Sequence, residues 1–261
     1  SMTDLAQWWA RSERLRSVLL ILLVMVLLWE ALCRGLAIRP FILPAPSLVL
    51  KDFLSEPAYF MKHSGYTLLT TLVGFLVAVI GGVACAVGIV YSKLLDRLLS
   101  ALLVSLNAVP KVALAPLFVI WLGTGTEPKI AIAAIICFFP TLVNMTRGLR
   151  DVRPEQLELM RILSASDSEV FFRIRVPNAM PALFSSLKIA SSTAVIGAII
   201  AEWIGTTKGI GALIVQSTYN FDSPLLYATI VVGSTFSALF FGVVSLAERY
   251  MLRWNVTAQH N

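Results

Sequence analysis

Apolar residues gather into six runs along the chain, near 15–35, 65–91, 96–121, 128–148, 179–204 and 225–247, with more polar stretches between them. An α-helix rises about 1.5 Å per residue, so some twenty apolar residues cover the roughly 30 Å hydrocarbon layer of a bilayer. Each run therefore predicts a membrane-crossing helix. Six crossings return the chain to the side on which it began.

The third run is irregular. Leu98 to Leu106 reads as helix, but Asn107-Ala-Val-Pro110-Lys111-Val-Ala-Leu-Ala-Pro116 interrupts it at membrane depth. Proline removes amide donors and frees carbonyls, which is tolerated there only where protein or water satisfies them. Lys111 beside the break either snorkels to an interface or lines an aqueous path. In the second run Gly74, Gly81, Gly82, Ala84, Ala86 and Gly88 form a small-residue surface that lets helix backbones approach closely. The fifth run carries Lys188, Ser191, Ser192 and Thr193, then Glu202 near its end. A glutamate at that depth costs several kcal/mol if it faces lipid. It is expected to pair with a lysine such as Lys111 or Lys208, or else to touch a transported solute.

Between the first two runs, Pro40, Pro44 and Pro46 stiffen a turn, and Ser47 is placed to cap a short helix through Leu48 to Leu54. Between the fourth and fifth lies the long polar segment, residues 151–178. Leu157, Met160, Ile162 and Leu163 interleave with Glu155, Glu158 and Arg161, and Val170, Phe171 and Phe172 stand beside Arg173 and Arg175. The pattern predicts amphipathic helix that offers an apolar knob to a partner while its charges stay in water. An ordinary basic connector is the other reading.

Positive residues divide by side. Arg11, Arg14, Arg16, Lys93, Arg97, Arg147, Arg150, Arg153, Arg161, Arg173, Arg175, Arg249 and Arg253 fall on the side of the termini. Arg34, Arg39, Lys51, Lys62, Lys129 and Lys208 fall on the other. The excess places the termini and the 151–178 loop in the cytoplasm. Residues 1–14 and 254–261 then read as cytoplasmic tails around a membrane domain of 15–253. Ser1 ahead of Met2 reads as a remnant of expression. No small-x-small cleavage site follows the first run, so it is retained rather than removed as a signal peptide.

Composition agrees. The 261 residues are 57% hydrophobic, with a mean hydropathy of +0.81, beyond the range of a soluble domain. The net charge of +6 comes from residues sorted by membrane side, not from one basic face, so nucleic acid is not the partner. Cys33, Cys85 and Cys137 lie in apolar runs without pairing or ligand spacing and read as buried small hydrophobes. No phosphate-binding Gly-x-x-x-x-Gly-Lys-Ser/Thr occurs, nor His-Glu-x-x-His, Gly-x-Ser-x-Gly or Cys-x-x-Cys. The chain is thus not an ATPase, and no metal ligands or catalytic residues are assigned.

The loop spacing resembles that of bacterial ABC-importer permeases: Glu-Ala-Ala, three residues, Gly, nine residues, Ile-x-Leu-Pro. Here it reads Glu158-Leu159-Met160, three residues, Ser164, nine residues, Ile174-x-Val176-Pro177. The Glu, Ile, Pro and all intervals match; Leu159, Met160, Ser164 and Val176 depart. Residues Pro110 to Gly125 also resemble the nitrate, sulfonate and taurine branch of that family, and the likeness runs from about Leu43 to Arg253. It implies an all-α, six-helix MetI-like fold of type I importers, in the bacterial inner membrane. Two copies would form the pore, with two separate cytoplasmic ATPase subunits binding ATP and magnesium, and an extracytoplasmic solute-binding protein. Glu158, Leu159, Met160, Ser164, Phe171, Phe172, Ile174 and Pro177 are then the ATPase-coupling residues. Ser164 adopts a left-handed turn less easily than glycine. Asn107, Lys111, Ser191, Ser192, Thr193 and Glu202 are the candidate translocation path. The branch moves sulfonates, taurine and nitrate, and in some members flat heterocycles such as thiamine precursors or riboflavin. A stand-alone secondary transporter or channel is the competing class: the intramembrane charges suit it, but it gives no reason for the loop spacing.

Overall fold

A computed structural model describes the backbone of residues 2–107 and 109–252, and the side chains of residues 16–99, 101 and 109–252. The helices are α1 (Met2–Gly35), α2 (Pro46–Ser55), α3 (Pro57–Tyr91), α4 (Lys93–Asn107), α5 (Ala115–Leu122), α6 (Glu127–Arg150), α7 (Pro154–Ile162), α8 (Asp167–Val170), α9 (Val176–Glu202), α10 (Ile210–Tyr219) and α11 (Ser223–Met251). Among the described residues, five helical stretches are long and apolar enough to cross a membrane: Arg16–Gly35, Pro57–Tyr91, Glu127–Arg150, Asp167–Glu202 and Ser223–Met251. The expected third crossing is not one helix. It is α4 and α5 joined through a 3-10 turn at Lys111–Leu114, as the prolines at 110 and 116 require. Helix α1 also runs through residues assigned to an N-terminal tail. The C-terminal tail lies outside the described residues.

Helices α3, α6 and α9 form the inner trio. They pack through small residues, because between apolar helices in lipid close van der Waals contact replaces the hydrophobic drive. A Cβ added at Gly74 on α3 would fall 2.7 Å from Ala133 Cβ and 2.9 Å from the Ile130 carbonyl on α6. Phe75, Ala78, Ala134, Cys137, Ala190, Ala194 and Val244 fill one core cluster. A second, with Ala86, Ile89, Leu142, Met145, Leu149 and Ala179, lies nearer the 151–178 loop. All three cysteines are free thiols.

Helix α1 stands outside this bundle. Val18 to Leu28 remain exposed, and its contacts concentrate at its last turns. There Glu30 holds Arg34 and also accepts the Ser47 amide at 3.0 Å and its hydroxyl at 2.8 Å. Ser47 therefore does not cap α2. Pro46 opens that helix after the extended residue Ala45, and Ser47 fastens it to α1.

Candidate functional site

The 151–178 loop folds as helix, turn, helix. Pro154 opens α7, Glu155 lies in its first turn and Arg161 in its last, which suits the helix dipole at both ends. Met160 is buried beneath it, whereas Glu158, Leu159, Ile162 and Leu163 are exposed. The end of α7 is a Schellman turn: the Ala165 amide donates to the Met160 carbonyl at 3.0 Å and the Ser164 amide to Arg161 at 2.9 Å. Ser164 sits at φ +52°, in the left-handed region where glycine is preferred. Ser164 thus holds, without being glycine, a backbone conformation that glycine adopts most readily.

Ser166 then starts α8 with a capping box. Its hydroxyl accepts the Glu169 amide, and Glu169 accepts the Ser166 amide at 2.9 Å. From Asp167 to Glu202 the chain is one helical run, interrupted only by a π-turn at Phe171–Arg175. Pro177 is the reason a wider turn fits here. It lacks an amide and crowds the preceding turn, and the Val176 amide reaches back five residues to the Phe171 carbonyl. Ile174 is half-buried in this turn, Phe172 is exposed, and Phe171 packs edge-on to Tyr91 at 5.9 Å between ring centroids. Two side chains tie the start of α9 to the end of α6. Arg175 donates to the Leu149 carbonyl at 2.8 Å, and Asn178 donates to those of Gly148 and Asp151 at 3.1 and 2.6 Å.

At the far end of the bundle, Glu202 is fully buried in a polar knot. Thr67 Oγ1 lies 2.9 and 3.0 Å from its two carboxylate oxygens, and the Gly211 amide donates to it at 2.9 Å. Thr67 accepts the Ile210 amide at 2.9 Å, and His63 Nδ1 accepts that of Gly209 at 3.0 Å. The lysine whose charge acts on Glu202 is Lys129, itself fully buried and bonded to the Thr124 carbonyl at 3.0 Å. Neither Lys111 nor Lys208 has that place. Lys111 lies 5.4 Å over the Phe139 ring. Gly209 and Gly211 make the knot possible, since a Cβ at the first would strike the Glu202 carboxylate and at the second the Ile199 carbonyl.

The other residues expected along a path are scattered. Ser191 is buried and bonds the Lys188 carbonyl, and Thr193 bonds the carbonyls of Ile189 and Ala190. Asn107 ends α4, its side chain outside the described residues. Ser192 lines a cavity of about 520 Å³ between α9, α10 and α11, together with Thr229, Ser234, Ser237 and Phe241. Among the described residues no charged side chain lines it. Sequence reasoning missed Thr67, His63 and Lys129, and also Glu248, which pairs with Lys188 at 2.7 Å. A glutamate one residue past the sixth apolar run was the available signal.

Residues 78–253 match the profile of the binding-protein-dependent transport system inner membrane component family. The chain is 29% identical over 94% of its length to the formylaminopyrimidine transport permease protein ThiX of Halalkalibacterium halodurans, covering 98% of that protein. It is also 29% identical to the riboflavin transport system permease protein RibX of Chloroflexus aurantiacus, over 90% of this chain and 89% of the other. Among solved structures, the MetNI methionine ABC transporter in inward-facing conformations shares the fold. Its TM-score is 0.66 at 17% identity, covering 75% of this chain and 97% of that one. With its apolar helical bundle and its spaced loop between α6 and α9, the chain belongs to the binding-protein-dependent inner membrane component family, as a non-catalytic permease subunit of an ABC importer.

Proposed function

We propose that two copies of this chain form the pore of the importer, and that the 151–178 loop is the lever through which two cytoplasmic ATPase subunits drive it. The observation that carries this is the helical run Asp167–Glu202, which continues through its π-turn from an exposed surface into the bundle. A displacement at Phe172 is delivered to α9 without an intervening flexible joint. Leu159, Ile162, Leu163 and Phe172 supply exposed apolar contact and Glu158 a charge for the ATPase cleft. Ser164, Ile174 and Pro177 shape the backbone, while Met160 and Phe171 seat the lever on its own bundle. The lever and both termini lie in the cytoplasm, in keeping with the positive charge gathered at that end. ATP and magnesium bind the ATPase subunits. They shift this chain between inward and outward access because their binding free energy differs between the two states. The bare face of α1 and the exposed side of α11 leave apolar surface for the second copy and for lipid.

Solute delivered by an extracytoplasmic binding protein would pass Lys111 at the broken helix and the α9–α10–α11 cavity at Ser192. A mostly aliphatic lining with four hydroxyls, one aromatic ring and no charged side chain among the described residues suits a small flat heterocycle, of the kind named for the formylaminopyrimidine and riboflavin relatives, over an anion such as a sulfonate. Ser191, Thr193 and Glu202 support this route from behind, through the backbone and the far-end knot.

Co-purification tests the lever. The wild-type chain should carry its ATPase subunit through detergent extraction, and Glu158→Lys combined with Phe172→Ala, both at exposed positions, should lose it while the bundle keeps its thermal unfolding temperature. Normal ATPase recovery with this double variant would refute the docking role.

A further inference from the structure

Lys188 and Glu248 make an ion pair at 2.7 Å between α9 and α11, partly sheltered, at 28% and 15% side-chain exposure. Charges inside apolar helices are costly and persist where they serve a purpose. Neither the knot around Glu202 nor the lever's surface uses this pair.

Its position follows from helical periodicity. Lys188 lies one turn before Ser192, on the same stripe of α9, and Glu248 lies two turns after Phe241 on α11. Both Ser192 and Phe241 line the cavity. The pair therefore sits beyond the cavity on the side of the lever, where Leu187, Ala190, Phe240 and Val244 already close the two helices together. The two helices differ in what drives them. Helix α9 continues from the lever, whereas α11 begins at the Asp222 cap and has no covalent link to the loop except through α10 at the far end.

We propose that Lys188 and Glu248 are a strut that makes the lever-side half of α11 follow α9, so that one push on the loop moves both long walls of the cavity. They are positioning residues for transport, and the pair stays closed through the cycle. Apolar packing at this seam resists separation but lets helices slide. An ion pair with one partner on each helix fixes their relative height, because sliding by one turn would strand a charge against lipid. The inference rests on the lever reading.

The test measures distances by electron–electron resonance in the assembled importer, in lipid nanodiscs, without nucleotide and after trapping with ATP and vanadate. Spin labels replace Arg173 at the lever and Arg249 at the end of α11, in one copy per complex. The separation should stay constant to within about 1 Å in the wild-type background. With Lys188→Ala it should change by a slide on the order of 2–5 Å, and the exchange Lys188→Glu with Glu248→Lys should restore constancy. A wild-type separation that changes this much, or a Lys188→Ala separation that stays constant, overturns the strut. If the single variant does not assemble, the exchange decides: constant separation supports the proposal. A changed separation, or failure of the exchange to assemble, overturns it. Labels at Arg173 in both copies report the lever itself; if their separation ignores nucleotide, the lever reading fails instead.

Discussion

Thr67 Oγ1 on α3 lies 2.9 Å from the Glu202 carboxylate at the end of α9, and the same oxygen accepts the Ile210 amide that begins α10. One hydroxyl thus fastens three helices and satisfies two groups that burial would otherwise leave unpaired. Thr67→Val keeps the shape and deletes both bonds, so it should destabilise the bundle by about 2–3 kcal/mol. Thr67→Ser should retain most of that stability. Thermal unfolding of the purified chain in detergent checks both.

The glycines beside this knot make a sharper contrast. Gly211→Ala drives a methyl into the Ile199 carbonyl, whereas a methyl at Gly65 on α3 meets nothing within 4 Å. The first should cost about 1–3 kcal/mol or prevent folding, and the second should gain about 0.5–1 kcal/mol from helix propensity. Paired unfolding curves would show opposite shifts.

Most of the fold was legible in the sequence because lipid imposes a length and a polarity on every crossing. The breaks at Pro110 and Pro116 were equally plain. The helical character of the 151–178 segment was legible in its amphipathic pattern, but its capping box at Ser166 and its widened turn before Pro177 were not read from it. What else escaped is long-range. Lys129 reads as an outer-loop charge until α6 carries it inward beside Glu202, and Thr67 is 135 positions from its carboxylate partner. No pattern within one helix distinguishes Lys188 as the partner of Glu248, sixty residues on. Ser47 has the sequence of a cap, but Glu30 binds it first.

Ser164 holds a left-handed backbone without being glycine. Ser164→Gly should stabilise the α7 turn by about 1 kcal/mol, and Ser164→Val should weaken it by a similar amount. Hydrogen exchange at the Ala165 amide, which is bonded to Met160, should slow several-fold in the first variant and quicken in the second.

Outside the membrane-spanning helices, burial of Asp52 on α2 holds its carboxyl above the usual range, and the negative charges of Asp222 and Glu56 add to this. Folding therefore favours the protonated form, so Asp52 contributes stability at low pH that is lost as pH rises through its titration. Asp52→Asn should raise the unfolding temperature at about pH 7, by an amount that shrinks as the pH is lowered through the carboxyl's titration.

The lever's sidedness bears most directly on whether this chain is driven from the cytoplasm. With Cys33, Cys85 and Cys137 replaced, a single cysteine at exposed Ser168 is treated with a membrane-impermeant maleimide. Labelling only after the inner membrane is permeabilised is the expected result. Full labelling in cells whose inner membrane is intact would place the loop outside, out of reach of any ATPase, and would contradict the proposed drive.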